Sequence, residues 1–234
     1  MKHKGTFLTG LAAGALGGLV VSRMTARPRW MPHLDISQPV LAETRGEIPA
    51  ALLAARAQAR YDELYAHRPY FAVPALRHHL ESSILPGLAL YQTLLEENDD
   101  REAALAEMDR LFAAWVEHSG MSRLVQLMQR LPDAFPLLRL GNRMVLKRSY
   151  PPEGWKVEWV EDSDQCIAYD MRECFYLKML TAYGTPELTA HFCQGDDLLY
   201  RSLRGISWER TKTLGQGDDR CNFRFRRVDE APSA

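Results

Sequence analysis

Apolar positions recur at helical spacing through the middle of the chain, and the period shortens to that of strands after Pro151-Pro152. Pro49 suits the first turn of a helix running to about Ala66, which His67-Arg68-Pro69 stops. Ala75 to Glu97 reads as mostly helical, with Pro86-Gly87 placed to kink or divide it. Asp99 and Asp100 are caps for the next helix, in which Leu105, Met108, Leu111, Phe112, Trp115 and Val116 form one stripe. Leu124, Leu127, Met128 and Leu131 repeat that pattern until Pro132 and Pro136 end it. Beyond Pro152, Trp155, Val157 and Trp159 alternate as in a strand, and Gln165 to Tyr169 returns beside it across the turn Glu161 to Asp164. Glu173 to Tyr183 predicts a helix closed by Gly184, and Pro186 opens a short one through about Cys193. Gly205 to Thr213 and Cys221 to Val228 read as two further strands. The prediction is an α+β fold, with a helical N-terminal half packed with a small antiparallel β-sheet and helices in the C-terminal half.

The start of the chain follows a different pattern. Phe7 to Ser22 carries no charge, with Lys2 and Lys4 before it and Arg23, Arg27 and Arg29 after it. Sixteen residues at 1.5 Å each reach about 24 Å, short of the ~30 Å hydrocarbon core, and flanking basic side chains can snorkel to cover the deficit. The run Val20-Val21-Ser22-Arg23 makes a poor cleavage site for a signal peptide. An uncleaved single-pass membrane anchor through residues 7–22 is therefore expected, against a cleaved signal or a soluble tail. Gly10, Gly14 and Gly18 share one helix face, a spacing suited to homo-oligomer contacts between such helices. The excess of arginine after the segment favours a cytoplasmic main body. The expected organisation is an anchor or signal segment over 1–23, a linker over 24–46 punctuated by Pro28, Pro32 and Pro39, and one α+β domain over 47–234.

Charge removes one class of partner. With 29 basic and 30 acidic residues the formal net charge is −1, so no basic excess predicts a nucleic-acid partner. Four cysteines in 234 residues do not make a disulfide scaffold, and no C-x-x-C pair is present to suggest a zinc ribbon or a thioredoxin-type site. H-E-x-x-H, G-x-S-x-G and triad signatures are absent too, and no Walker or dinucleotide fingerprint surrounds Gly215 and Gly217.

All four cysteines, Cys166, Cys174, Cys193 and Cys221, lie in the last third of the chain. Cys221 shares a strand face with Phe223 and Phe225, and spacing alone reads it as a buried, inert thiol. A nucleophile would need an electropositive, partly accessible setting that lowers its pKa. Cys174 is expected in the first turn of its helix, where amide dipoles favour a thiolate. Cys193 is expected to end a helix and lead into Asp196 and Asp197, pairing a thiol with a carboxylate able to move a proton. The alternative is that both thiols fill the core and Asp196 caps a helix. Arg210 lies on an apolar strand face beside Ile206 and Trp208, where it needs a carboxylate, either Asp196 or that of a small-molecule substrate. His78 and His79 point about 100° apart on a helix, so with Glu81 they make a poor chelate.

Several of these pieces together resemble the L-2-amino-thiazoline-4-carboxylic acid hydrolases. They are Leu85 to Leu94 with Arg101 to Ala104; Cys174-Phe175; Tyr183 to Leu188; Cys193 with Asp196; and Arg210, Thr213-Leu214, Gly217, Cys221 and Phe223. The resemblance covers roughly residues 70–228. It implies a hydrolase of carbon–nitrogen bonds other than peptide bonds, opening a 2-amino-thiazoline ring by adding water at the amidine carbon. It further implies that Cys174, Cys193, Asp196 and Cys221 form the catalytic set and that Arg210, Thr213 and Asn222 hold the substrate. Asn222 departs from the family, which usually has aspartate there. Neither the residues nor the resemblance names a cofactor. The competing expectation is a catalytically inactive, membrane-tethered small-molecule-binding or scaffold protein of the same fold.

Overall fold

In the computed structural model, which describes residues 30–228, helices dominate the first half. They are α1 (Leu34–Arg45), α2 (Glu47–Ala66), α3 (Pro74–His79), α4 (Leu85–Asn98), α5 (Arg101–Glu117), α6 (Gly120–Met128) and α7 (Phe135–Ser149). The hairpin β1 (Lys156–Asp162) and β2 (Cys166–Glu173) follows, then α8 (Phe175–Ala182), α9 (Leu188–Tyr200), β3 (Ile206–Glu209) and β4 (Cys221–Arg227). The four strands form an antiparallel sheet in the order β1-β2-β4-β3. The fold is α+β, as the periodicity predicted.

The expected linker is corrected by α1. Pro39 sits inside that helix on its exposed side, where the acceptor it fails to serve stays open to water. Packing decides the outcome. Leu41 is fully buried, and Ser37 Oγ donates to His33 O at 2.7 Å while accepting from Trp115 Nε1 at 2.9 Å.

The break expected at Pro86-Gly87 falls one turn earlier, as a π-helical turn over Leu80–Ile84. Pro86 has no N–H for the carbonyl of Ser82, and that carbonyl is met instead by His33 Nε2 at 3.0 Å. Tyr61 Oη donates to the neighbouring Glu81 O at 3.1 Å. A proline thus leaves an acceptor that the N-terminal elements use to dock. Asp100 caps α5 as expected, its Oδ1 accepting from the Ala103 amide at 3.1 Å.

Two expectations are corrected near the sheet. Residues 135–149, unassigned from the sequence, form α7, which Pro136 opens rather than ends. Arg139 on that helix ties it to the hairpin through Asp162 and Asp164. The helix at 188 does not stop near Cys193 but runs on to Tyr200. Gly195 inside it allows close approach to α5, since a Cβ there would lie 3.2 Å from Val116 Cγ2.

The single-pass, membrane-anchored placement with a cytoplasmic body is also corrected. Among the described residues no helix is long and apolar enough to cross a membrane. The longest, α2, carries Glu47, Arg56, Arg60, Asp62 and Glu63. The segment 7–22, with its Gly10, Gly14 and Gly18 face, lies outside the described residues.

Candidate active site

Strands β2 and β4 pair Met171 with Cys221 and Tyr169 with Phe223. The Tyr169 and Phe223 rings stack with centroids 4.8 Å apart. These four side chains floor a cavity of about 240 Å³. Helix α9 crosses above, and because it continues past Cys193 it presents Phe192, Cys193, Asp196 and Tyr200 to the same space. The junction of β2 and α8 adds Cys174 and Tyr176. Thiols 174, 193 and 221 therefore converge, while Cys166 lies elsewhere on β2 and receives Arg226 Nη1 at 3.6 Å.

The three cavity thiols are held differently. Cys174 is the residue before α8, not within its first turn. Burial pushes its thiol up to about 11, outweighing the amides of Leu177 and Tyr176 that pull it down. The expected helix-dipole thiolate is thus overridden by desolvation. Cys221 receives more help. The Leu214 amide donates to its Sγ at 3.2 Å, and Thr213 Oγ1 lies 3.5 Å away. The hydrogen bond with Cys193 lowers its thiol most; burial resists, and Thr213, the Leu214 amide and the charge of Arg210 add to the lowering, to about 7. Cys193 moves the opposite way, raised by that same hydrogen bond and by burial. In this pair Cys193 keeps the proton and Cys221 carries the charge.

The loop that supplies those donors is braced on α9. Residues Leu214–Gln216 form a 3₁₀ turn, and a Cβ on Gly215 would meet Ala190 N at 2.9 Å. Only glycine lets the turn seat there. The Thr213 amide donates to Asp218 Oδ2 at 2.8 Å, closing the loop on itself.

Asp196 is the acidic group of the cavity. Burial raises its carboxyl to about 6, against the lowering pull of Arg210 and with the added repulsion of Asp197. Arg210 is 4 % exposed at its side chain. Its donors go to Asp196 Oδ2, Asp197 Oδ2 and the carbonyl of Cys193, each at 2.8 Å. Those three acceptors all lie on α9, so Arg210 anchors the helix that carries Cys193 and Asp196. It does not line the cavity.

A family model described as L-2-amino-thiazoline-4-carboxylic acid hydrolase matches residues 77–225. The chain belongs to this family. No curated protein matches it. The matched span begins in α3 and ends in β4, so it takes in every element that walls the cavity.

Asn222 stands apart from the thiols. It alternates to the opposite face from Cys221, where its Oδ1 accepts from the amides of Thr211 at 3.0 Å and Lys212 at 2.6 Å, and its Nδ2 donates to Thr211 Oγ1 at 2.9 Å. It clamps the end of β3 to β4. Among the described residues no group of three or more His, Cys, Asp or Glu side chains is arranged to hold a metal ion.

The tyrosines of the cavity escaped the sequence reading. Tyr150, Tyr176 and Tyr200 are each raised above the ordinary phenol value, first by burial, and so remain neutral donors. His79 stands behind Tyr176. Its Nε2 donates to Ser149 O at 2.8 Å, which leaves Nδ1 to accept from Tyr176 Oη at 3.0 Å. Burial lowers this histidine's pKa, so it is neutral. No spacing rule links these groups, because they come from α3, the end of α7, α8 and α9.

Proposed function

We propose that the protein hydrolyses carbon–nitrogen bonds of amidine type, with Cys221 as nucleophile and Asp196 as the proton carrier. The observation that carries this reading is the convergence of two acids of one cavity on neutrality. A thiol is drawn down to about 7 and a carboxyl is driven up to about 6 around one cavity. Environments that bring a thiol and a carboxyl both close to neutrality poise the first as a nucleophile and the second to carry a proton.

In the first half-reaction the Cys221 thiolate forms a bond to the amidinium carbon. The carbon–nitrogen bond then breaks as protonated Asp196 gives its proton to the departing nitrogen, which leaves as an amine. In the second, Asp196 carboxylate takes a proton from the water that attacks the thioimidate carbon. The carbon–sulfur bond then breaks, returning the thiolate and releasing an amide, and the remaining hydroxyl proton passes to the freed amine, which departs as an ammonium. Cys193 stabilises the thiolate by donating to it. Arg210 is a positioning residue that fixes the α9 turn bearing Asp196. Thr213 is assigned to thiolate stabilisation, Cys174 to the neutral wall, and Asn222 to the strand clamp.

The test is turnover of 2-amino-thiazolines, with and without a 4-carboxylate, and of simple amidines by purified protein. Cys221→Ala and Asp196→Asn are expected to lose on the order of 100-fold or more in rate while still folding. Turnover that survives Cys221→Ala would overturn the assignment.

A further inference from the structure

The cavity is divided along its length. One part holds Cys174, Cys193, Asp196 and Cys221, and the wall from α6 and α7 is lined by Met121, Leu124, Val125, Met128, Leu138 and Val145, among others. Leu124 and Leu137 line it and are exposed, so this wall reaches solvent. Asn142 is the polar exception on this wall, and it is already engaged. Its Nδ2 donates to Leu138 O at 3.1 Å and its Oδ1 accepts from Tyr169 Oη at 3.2 Å. No Lys, Arg or His is among the residues lining the cavity. The groove that carries Arg143 and Lys147 is partitioned from it by Leu146, Tyr150 and Trp155, which line both.

Gly141 adds a second observation. It sits mid-helix in α7 and lines this wall, and a Cβ built on it meets nothing within 4 Å. A glycine inside a helix costs about 1 kcal/mol relative to alanine. Neither backbone geometry nor close packing requires it here. What its missing side chain leaves is free width in the apolar part of the cavity.

We infer that the substrate is amphiphilic: a cationic amidine head at the Cys221–Asp196 end and an apolar chain lying along α6 and α7, with Gly141 setting the width available to that chain. The head chemistry rests on the function proposed above; the chain does not. An amidinium head meets the Cys221 thiolate, and methylenes meet leucine, valine and methionine.

Calorimetric binding of straight-chain alkyl amidines, from acetamidine to decanamidine, tests this on the full chain without requiring turnover. Affinity should rise about fourfold per methylene until the chain fills the wall. Gly141→Leu should fold at least as well as wild type, as judged by its Tm, and should flatten that dependence beyond the first few carbons. Leu124→Gln, at an exposed position, should reduce the slope without affecting folding. Affinity independent of chain length, an unchanged slope in Gly141→Leu, or no binding of any amidine would overturn the inference. Long amidines that bind tightly but are never hydrolysed would remove the proposed function and leave the chain site standing. Hydrolysis with no chain-length preference would do the reverse.

Discussion

Arg210 Nη1 lies 2.8 Å from Asp196 Oδ2, yet the carboxyl titrates above its ordinary range and not below it. The first reason is burial, which penalises the charged carboxylate by more than Arg210 favours it. Arg210 also bonds Asp197 Oδ2 at 2.8 Å, and that second carboxylate repels the first. The ion pair organises the site without holding Asp196 permanently ionised.

Removing the guanidinium is expected to be costly. Arg210→Leu strands two carboxylates beside a buried surface and should destabilise the fold by on the order of 3 kcal/mol. Chemical denaturation of the variant against wild type measures it. A loss within about 0.5 kcal/mol would mean that the triad is a solvated surface feature.

The raised carboxyl has a thermodynamic sign. Its folded value, about 6, exceeds the ordinary 3.8, so its contribution to stability is fully present below the ordinary value and is lost as pH rises through about 6. Asp196→Asn has no such loss. The Tm difference, variant minus wild type, should therefore grow in favour of the variant between pH 4 and pH 7. A difference that shrinks over that range would mean the carboxyl is held down by Arg210.

Gly215→Ala tests the brace beneath the thiolate. The added methyl meets the backbone of Thr189 and Ala190 at 2.9 to 3.0 Å, which a rotamer change cannot relieve. The variant should lose about 1–3 kcal/mol of stability. Displacement of the turn should also withdraw the Leu214 amide from Cys221 and raise the thiol toward its ordinary value. Near-wild-type stability together with an unshifted thiol would show that the turn is not fixed by its contact with α9.

The sequence was informative where local chemistry governs. Strand alternation placed Cys221 with Phe223 and Phe225, and all three are buried. Proline and aspartate at helix starts were legible at Pro49 and Asp100 because capping is a local effect. Distance from such signals brought error. Of the amphipathic stripe Leu124, Leu127, Met128 and Leu131, only Met128 is buried; the leucines are exposed, and Val125 joins Met128 in the core. The helix expected to end near Cys193 continues through Gly195, and only the packing of α9 on α5 shows why a glycine is tolerated inside it. The depressed thiol was not readable either. It depends on an amide seven residues away and on a second thiol from another element. Spacing could bring Cys221 to a strand face but could not reveal which donors surround it.

The central claim is that Cys221 is the thiolate of this site. Timed alkylation with a small reagent across pH 5 to 10, read by mass spectrometry at each cysteine, tests it most directly. The account predicts that Cys221 reacts first, with a midpoint near pH 7, and that Cys174 and Cys193 react only at much higher pH. Thr213→Val should move the Cys221 midpoint upward, because it removes a donor to the thiolate. Fastest labelling at Cys174 or Cys193, or a Cys221 midpoint at the ordinary thiol value, would contradict the account.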